Sequence, residues 1–213
     1  HLSAGVPLGF QQSIIAIGSV TLSAALNTLG TKAVAANTAA SKIDQIIVWV
    51  LMSFGVTMAT YVAQNYGAQK YDRILQGVSV ALRVSIIVAI ILGAIELIFG
   101  RYLVRLFITS DVTHVVKLAQ LYFYANGPMY WLLAILFILR YTLQGLGDVK
   151  TPTLAGIGEL ISRTIAAFLF VSWFGFFGAS LANPLAFIGS LIFLVPAYMK
   201  AVKKLKEMRD ANL

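Results

Sequence analysis

Six long apolar stretches dominate this sequence, at 6–29, 44–63, 76–99, 118–139, 153–174 and 177–198. A helix needs about 20 residues to cross roughly 30 Å of hydrocarbon, and lipid offers no partner for an unpaired backbone group. Each stretch is therefore predicted to be a transmembrane α-helix. The chain is predicted to be an all-α membrane protein, a single six-helix bundle spanning residues 1–213 with a basic tail at 199–213.

Composition excludes several other classes of protein. Apolar residues make up 59% of the chain and charged residues 11%, against roughly 25% charged in a soluble domain. Cysteine is absent, and the two histidines, His1 and His114, are far apart in the predicted topology. Neither a metal site nor a catalytic triad is therefore predicted, so we expect neither an enzyme nor a cofactor.

The formal net charge is +8, but the basic residues gather in loops and in the tail, where lipid headgroups attract them. No basic stripe interleaved with aromatic residues indicates nucleic acid as a partner. Nine Lys and Arg residues fall on one predicted side of the membrane and five on the other. Because cytoplasmic loops carry the excess of positive charge, the tail and both termini are predicted to be cytoplasmic, in a multi-pass plasma-membrane protein.

Neutral polar residues within the apolar stretches are the main candidates for a binding site. Lipid does not tolerate unpaired polar groups, so these residues either bond between helices or face a water-filled cavity that could take an amphipathic solute. Both interpretations stay open for each of them. The candidates for the cavity wall are Gln11, Gln12, Asn27, Trp49, Asn126 and Asn183.

The acidic residues near the membrane give separate predictions. Glu159 and Arg163 are four residues apart on one helix, so they are predicted to form an ion pair, which holds the helix against its neighbours or serves function. Glu96 is predicted to form an interfacial salt bridge with Arg101 or Arg105. The second helix is predicted to begin before its apolar core, because Ala33 to Ala40 is helix-forming. Asp44, near the outer end of that core, either lines an outward vestibule or lies at a solvated helix end, and both interpretations stay open.

The chain also resembles a known family through short motifs in a particular order and spacing. These motifs are GVPLG at 5–9, LG at 29–30, AVAA at 33–36, QNYGA at 64–68, LQGLGD at 143–148 with Pro152, and Glu159, Leu160 and Arg163. Together they resemble the C-terminal lobe of the multidrug and toxic compound extrusion (MATE) family, from Gly5 to about Lys204. The resemblance implies one half of a twelve-helix transporter, whose N-terminal six-helix lobe would be a partner of this chain.

The resemblance further implies an antiporter that exports organic cations or amphipathic drugs in exchange for sodium ions or protons. Two acids that members of the family often carry in this lobe correspond here to Ile15 and Leu133. Handling of the coupling ion is therefore expected to rest on the N-terminal lobe. Two alternatives remain, a flippase for lipid-linked oligosaccharides and a membrane scaffold subunit that does not transport.

Overall fold

The structure, a computed structural model, describes the backbone of residues 2–107 and 112–211. Side chains are described in the same ranges, apart from residues 2–8, 10–12, 15 and 112. Within these ranges the chain folds into α-helices joined by short turns, and it contains no strand.

The described helices form six rods that pack side by side. They are α1 (Leu2–Asn27), α2 (Thr31–Gly67), α3 (Tyr71–Arg105), α4 (Val112–Asn126), α5 (Tyr130–Gly145), α6 (Lys150–Ile165), α7 (Val171–Ser180) and α8 (Ala182–Asp210). A 3₁₀ turn, Gly127–Met129, joins α4 to α5, and a π-helical turn, Ala166–Phe170, joins α6 to α7. Five rods in the described part are long and apolar enough to cross a membrane, and α1 has 26 residues. The prediction of an all-α membrane bundle is confirmed.

The second helix begins earlier than its apolar stretch indicates. It runs for 37 residues from Thr31, whereas the apolar stretch begins at Asp44. Asn37, Lys42 and Asp44 lower the local hydropathy without interrupting the helix, so hydropathy locates only its apolar part. The predicted early start of α2 is confirmed, whereas the interpretation of Asp44 as a solvated helix end is wrong, because this residue lies about three turns inside α2 and is buried.

The chain reverses direction at Gly175, where the sequence predicts a hairpin. Gly175 has φ 56° and ψ −131°, a conformation that glycine adopts at little cost. The segment after it packs so closely on the segment before it that a Cβ on Gly178 would collide with the carbonyl of Phe170. As a result, α8 packs along α6, and Gly158 faces Gly189.

The loops gather at two ends of the bundle, as the predicted topology requires. One end is packed around Ala33, Val104, Val115 and Phe176. At the opposite end the turns after α2 and α5 meet the tail, through a cluster containing Val62, Tyr71 and Leu205 and through an ion pair between Arg209 and Asp72. Which end faces the cytoplasm stays a prediction.

Candidate functional site

A cavity of about 980 Å³ lies in the bundle and is lined mainly by α1, α2 and α5, whose residues between Leu133 and Gln144 form its floor. Two residues each from α6 and α8 and one each from α4 and α7 complete its wall. Polar and aromatic side chains are interspersed with apolar ones along the wall. The polar and aromatic lining residues are Ser19, Ser23, Asn37, Ser41, Asp44, Gln45, Trp49, Tyr122, Phe137, Arg140, Tyr141, Gln144, Glu159, Arg163, Asn183 and Phe187.

The structure brings two of the six cavity candidates to this wall. Trp49 on α2 and Asn183 on α8 both line the cavity. Asn27 is exposed at the end of α1 and is not among the described lining residues. The side chains of Gln11 and Gln12 lie outside the part of the chain whose side chains are described.

Asn126 bonds between helices instead of facing the cavity. It is fully buried, and its Nδ2 donates to the carbonyls of Tyr122 at 3.0 Å and Ser180 at 3.1 Å. Asn126 directly precedes the 3₁₀ turn Gly127–Met129. Through the Ser180 carbonyl, its side chain ties the end of α4 to α7.

The Asp44 carboxylate, which lies inside α2 and not at a solvated helix end, is part of the cavity wall. Asp44 is 9% exposed, and two tyrosine hydroxyls donate to it, Tyr122 to Oδ2 at 3.1 Å and Tyr130 to Oδ1 at 2.5 Å. These tyrosines lie on either side of the 3₁₀ turn and are themselves buried. The signal in the sequence is the helix-forming segment Ala33 to Ala40, which extends α2 and carries Asp44 into its interior.

A chain of hydrogen bonds continues from Asp44 across four helices. The Asn183 Nδ2 donates to the Tyr122 hydroxyl at 2.9 Å, and Arg163 Nη1 donates to Asn183 Oδ1 at 2.6 Å. This chain connects α2 to α4, α8 and α6 in turn. It places a negative and a positive group on the same wall, with neutral polar groups between them.

Glu159 is paired, but not with the residue that its spacing predicts. Its carboxylate forms a buried ion pair with Arg140 of α5, and Arg140 Nη2 also donates to Ser190 Oγ at 2.9 Å. Arg163, four residues along α6, bonds to Asn183 instead. The predicted Glu159–Arg163 pair is therefore wrong, because the Glu159 carboxylate is paired with an arginine of another helix. Arg140, counted in the sequence as a loop residue, lies inside α5.

The polar groups of the cavity are suited to binding rather than to a metal centre. Among the described side chains, no three His, Asp or Glu residues lie close enough together to hold a metal ion. Asp44 lies on α2 and Glu159 on α6, and each has its own hydrogen-bond or ion-pair partners.

Comparison with known proteins identifies the fold. The family model described as MatE matches residues 7–169. The chain belongs to the MatE family. This MatE chain is 23% identical over 210 residues to "Probable multidrug resistance protein YoeA" of Bacillus subtilis (strain 168), covering 97% of the chain and 45% of that protein. It is 25% identical over 190 residues to "Probable multidrug resistance protein YpnP" of the same strain, covering 89% and 42%.

A solved structure gives the same result for the fold. "Crystal structure of MATE in complex with MaL6" superposes with a TM-score of 0.87 at 15% identity, covering 97% of this chain and 47% of that one. The chain thus spans about half the length of the relatives and structures that it matches. It is a multi-pass membrane protein with the fold of one MATE lobe.

The MatE lobe differs from the sequence-based expectation at a second acid. Glu96 on α3 is 1% exposed and, among the described residues, makes no salt bridge, so the predicted interfacial pair is wrong. Arg101 turns to Tyr102, with a hydrogen bond of 2.7 Å to its hydroxyl, and Arg105 also faces that ring. Leu133, at the position of a frequent family acid, is buried at the cavity floor, and the side chain of Ile15 is outside the described set.

Proposed function

We infer that this MatE chain is one lobe of an antiporter in the plasma membrane that exports organic cations or amphipathic drugs in exchange for sodium ions or protons. The observation that carries this inference is a cavity of about 980 Å³ whose wall presents both a buried carboxylate, Asp44, and an indole ring, Trp49. Such a volume is at the upper end of the range for small-molecule sites. The names of the two Bacillus relatives support the same substrate class.

The chemistry of the wall favours a cation over a neutral or anionic solute. A carboxylate attracts a positive charge more strongly in a low-dielectric cavity than in water, and an indole face adds cation–π attraction. Of the two arginines of the wall, Arg140 is paired with Glu159, and Arg163 donates to the neutral amide of Asn183. Arg163 is therefore the one described wall arginine without a direct carboxylate partner, and the pyrophosphate that an oligosaccharide flippase would carry needs more basic groups than this.

The exposed faces of α2 and α3 support a second lobe as partner. Beyond Arg83, the exposed face of α3 is entirely apolar over several turns, with Val84, Ile87, Ile91, Ile95 and Ile98. The exposed face of α2 instead carries Gln45, Trp49, Ser53, Thr57 and Thr60. Because lipid does not favour such polar side chains, we propose that α3 faces lipid while α2 faces the second lobe across a central, water-filled space.

Transport is tested by comparing the lobe alone with the two lobes together. The chain expressed alone should give no efflux of a fluorescent organic cation such as ethidium, because one lobe has no second body to move against. Co-expression with the preceding six-helix lobe of the same transporter should give efflux that stops when the cation gradients are abolished. Efflux from the lobe alone, or none from the two lobes together, would contradict the proposal.

A tryptophan substitution tests the cavity itself. Replacing Trp49 with alanine should weaken binding of tetraphenylphosphonium to the reassembled transporter by about tenfold, because the cation loses an aromatic face worth roughly 1–2 kcal/mol. Isothermal titration calorimetry of the purified protein measures this change. The matched control is Trp173→Ala, since Trp173 is 69% exposed on α7 and is not among the described lining residues. Equal losses of affinity in both variants would show that Trp49 is not part of the binding site.

A further inference from the structure

Among the described residues, Glu96 is a buried acid without a counterion. Its side chain lies on α3, is 1% exposed, and neither carboxylate oxygen has a hydrogen-bond partner among the described residues. The two nearest arginines along its own helix, Arg101 and Arg105, are turned to Tyr102. An ionised carboxylate in this position would lose its hydration with nothing to replace it, at a cost of many kcal/mol. A bound proton removes that cost.

The Tyr130 hydroxyl lies between Glu96 and Asp44. It donates its hydrogen to Asp44 Oδ1, and it also faces the Glu96 carboxylate, with which the geometry of a hydrogen bond is not reached. A phenol has a single hydrogen to donate, so it can stabilise only one ionised carboxylate at a time. The arrangement therefore suits one carboxylate and one carboxylic acid on either side of the same hydroxyl.

The other charged and titratable groups around the two acids support this division. Tyr122 of α4 donates a hydrogen bond to Asp44 and not to Glu96. The positive charge of Arg163 on α6 stabilises a negative charge on Asp44. A negative charge on Asp44 opposes a second negative charge on Glu96 and on the two tyrosines. Among the described residues, Asp44 thus has two hydrogen-bond donors and a nearby positive charge, whereas Glu96 has neither.

The two acids also differ in their access to water. Asp44 lines the cavity, while Glu96 is not among its described lining residues and packs where α3 meets the 3₁₀ turn. In that region a Cβ on Gly93 would collide with the carbonyl of Gly127, so the helices leave little space around the acid. A proton from cavity water therefore reaches Asp44 and Glu96 through Asp44, the acid that lines the cavity.

We propose that Asp44, Tyr130 and Glu96 form a proton-binding site in this lobe, in which the two carboxyls together hold one proton. Binding changes the pair from two negative charges to one and breaks no covalent bond in the protein. Its use in coupling rests on the proposed function, because a cationic substrate at Asp44 would compete with the proton for the same negative charge. Both Asp44 oxygens already accept phenol hydrogens, which favours a proton over a metal ion at this site.

Infrared difference spectroscopy of the purified chain in lipid nanodiscs tests the site at neutral pH without sodium. The wild-type chain should show the C=O stretching band of a protonated carboxyl group, and Glu96→Gln should lose it. In Asp44→Asn the band should persist at a shifted frequency, because the remaining acid has lost its charged neighbour. Absence of the band from the wild type, or its unchanged persistence in Glu96→Gln, would overturn the proposal.

Two comparisons make the result specific. The double variant Arg140→Met with Glu159→Leu removes another buried carboxyl group, one that has an arginine counterion, so it should leave the band unchanged. Adding sodium chloride in place of choline chloride should also leave it unchanged, and loss of the band on adding sodium would show that a metal ion occupies the site instead. Neither measurement needs transport, so a failure of the efflux experiment would leave this result standing.

Discussion

Replacing Arg140 with methionine is expected to lower the free energy of unfolding of the purified chain by about 3–5 kcal/mol. Arg140 and Glu159 are both 5% exposed, and the substitution leaves the Glu159 carboxylate buried without its counterion. It also removes the donor to Ser190 Oγ. Thermal or denaturant unfolding in a mild detergent, followed by circular dichroism, measures the loss.

The double variant Arg140→Met with Glu159→Leu is the matched control. An apolar pair of similar volume avoids the cost of stripping two ions of water, so most of the lost stability should return. The difference in the free energy of unfolding between the single and double variants separates the effect of the uncompensated charge from the effect of lost packing. If the double variant is no more stable than Arg140→Met, the charge of Glu159 is not the cause of the destabilisation.

The second large effect is expected at the contact between α6 and α8. Gly158→Ala should destabilise the chain by about 1–3 kcal/mol, although alanine favours a helix over glycine. A Cβ at this position would lie 2.5 Å from the carbonyl oxygen of Gly189 and 2.9 Å from the ring of Phe193. The carbonyl belongs to helical backbone and cannot turn aside, so the two helices must separate. The same unfolding measurement gives the magnitude.

Gly67→Ala is the control for Gly158→Ala. Gly67 is the last residue of α2 and is exposed. Apart from its chain neighbours and its own helix backbone, no described atom lies within 4 Å of the position that a Cβ would take there. Its replacement should be neutral or stabilise by up to about 1 kcal/mol. Equal destabilisation at both positions would mean that the close contact between the two helices does not limit stability.

The helices could be predicted from the sequence because hydropathy acts locally. A run of about 20 apolar residues identifies a membrane helix without knowledge of its neighbours, and the two-residue connection of Gly175 and Phe176 predicts the hairpin by its length. Trp49 and Asn183 could be found as cavity candidates because aromatic and amide groups within apolar helices need a polar environment. Asn126 satisfied the same criterion and proved to bond between helices.

The partners of the charged residues could not be predicted, since they depend on the packing of different helices. The spacing of Glu159 and Arg163 permits an ion pair, but Arg140 of α5 approaches the carboxylate from across the bundle. The helix-forming segment Ala33 to Ala40 predicted the early start of α2, but it could not show which tyrosines of other helices would pack against Asp44. Glu96 was paired with arginines of its own helix, whereas the structure turns it toward α5.

The 3₁₀ turn between α4 and α5 lets two tyrosines of the same rod donate to the Asp44 carboxylate. In a regular α-helix, Tyr122 and Tyr130 would be roughly 12 Å apart along the axis and about 80° apart around it. The turn at Gly127–Met129 alters both spacings, and in this geometry both hydroxyls reach the one side chain of Asp44. The shape of this joint and the charge state of Asp44 are therefore thermodynamically linked. Because such linkage is reciprocal, a change that regularises the joint would also change the affinity of Asp44 for whatever neutralises it.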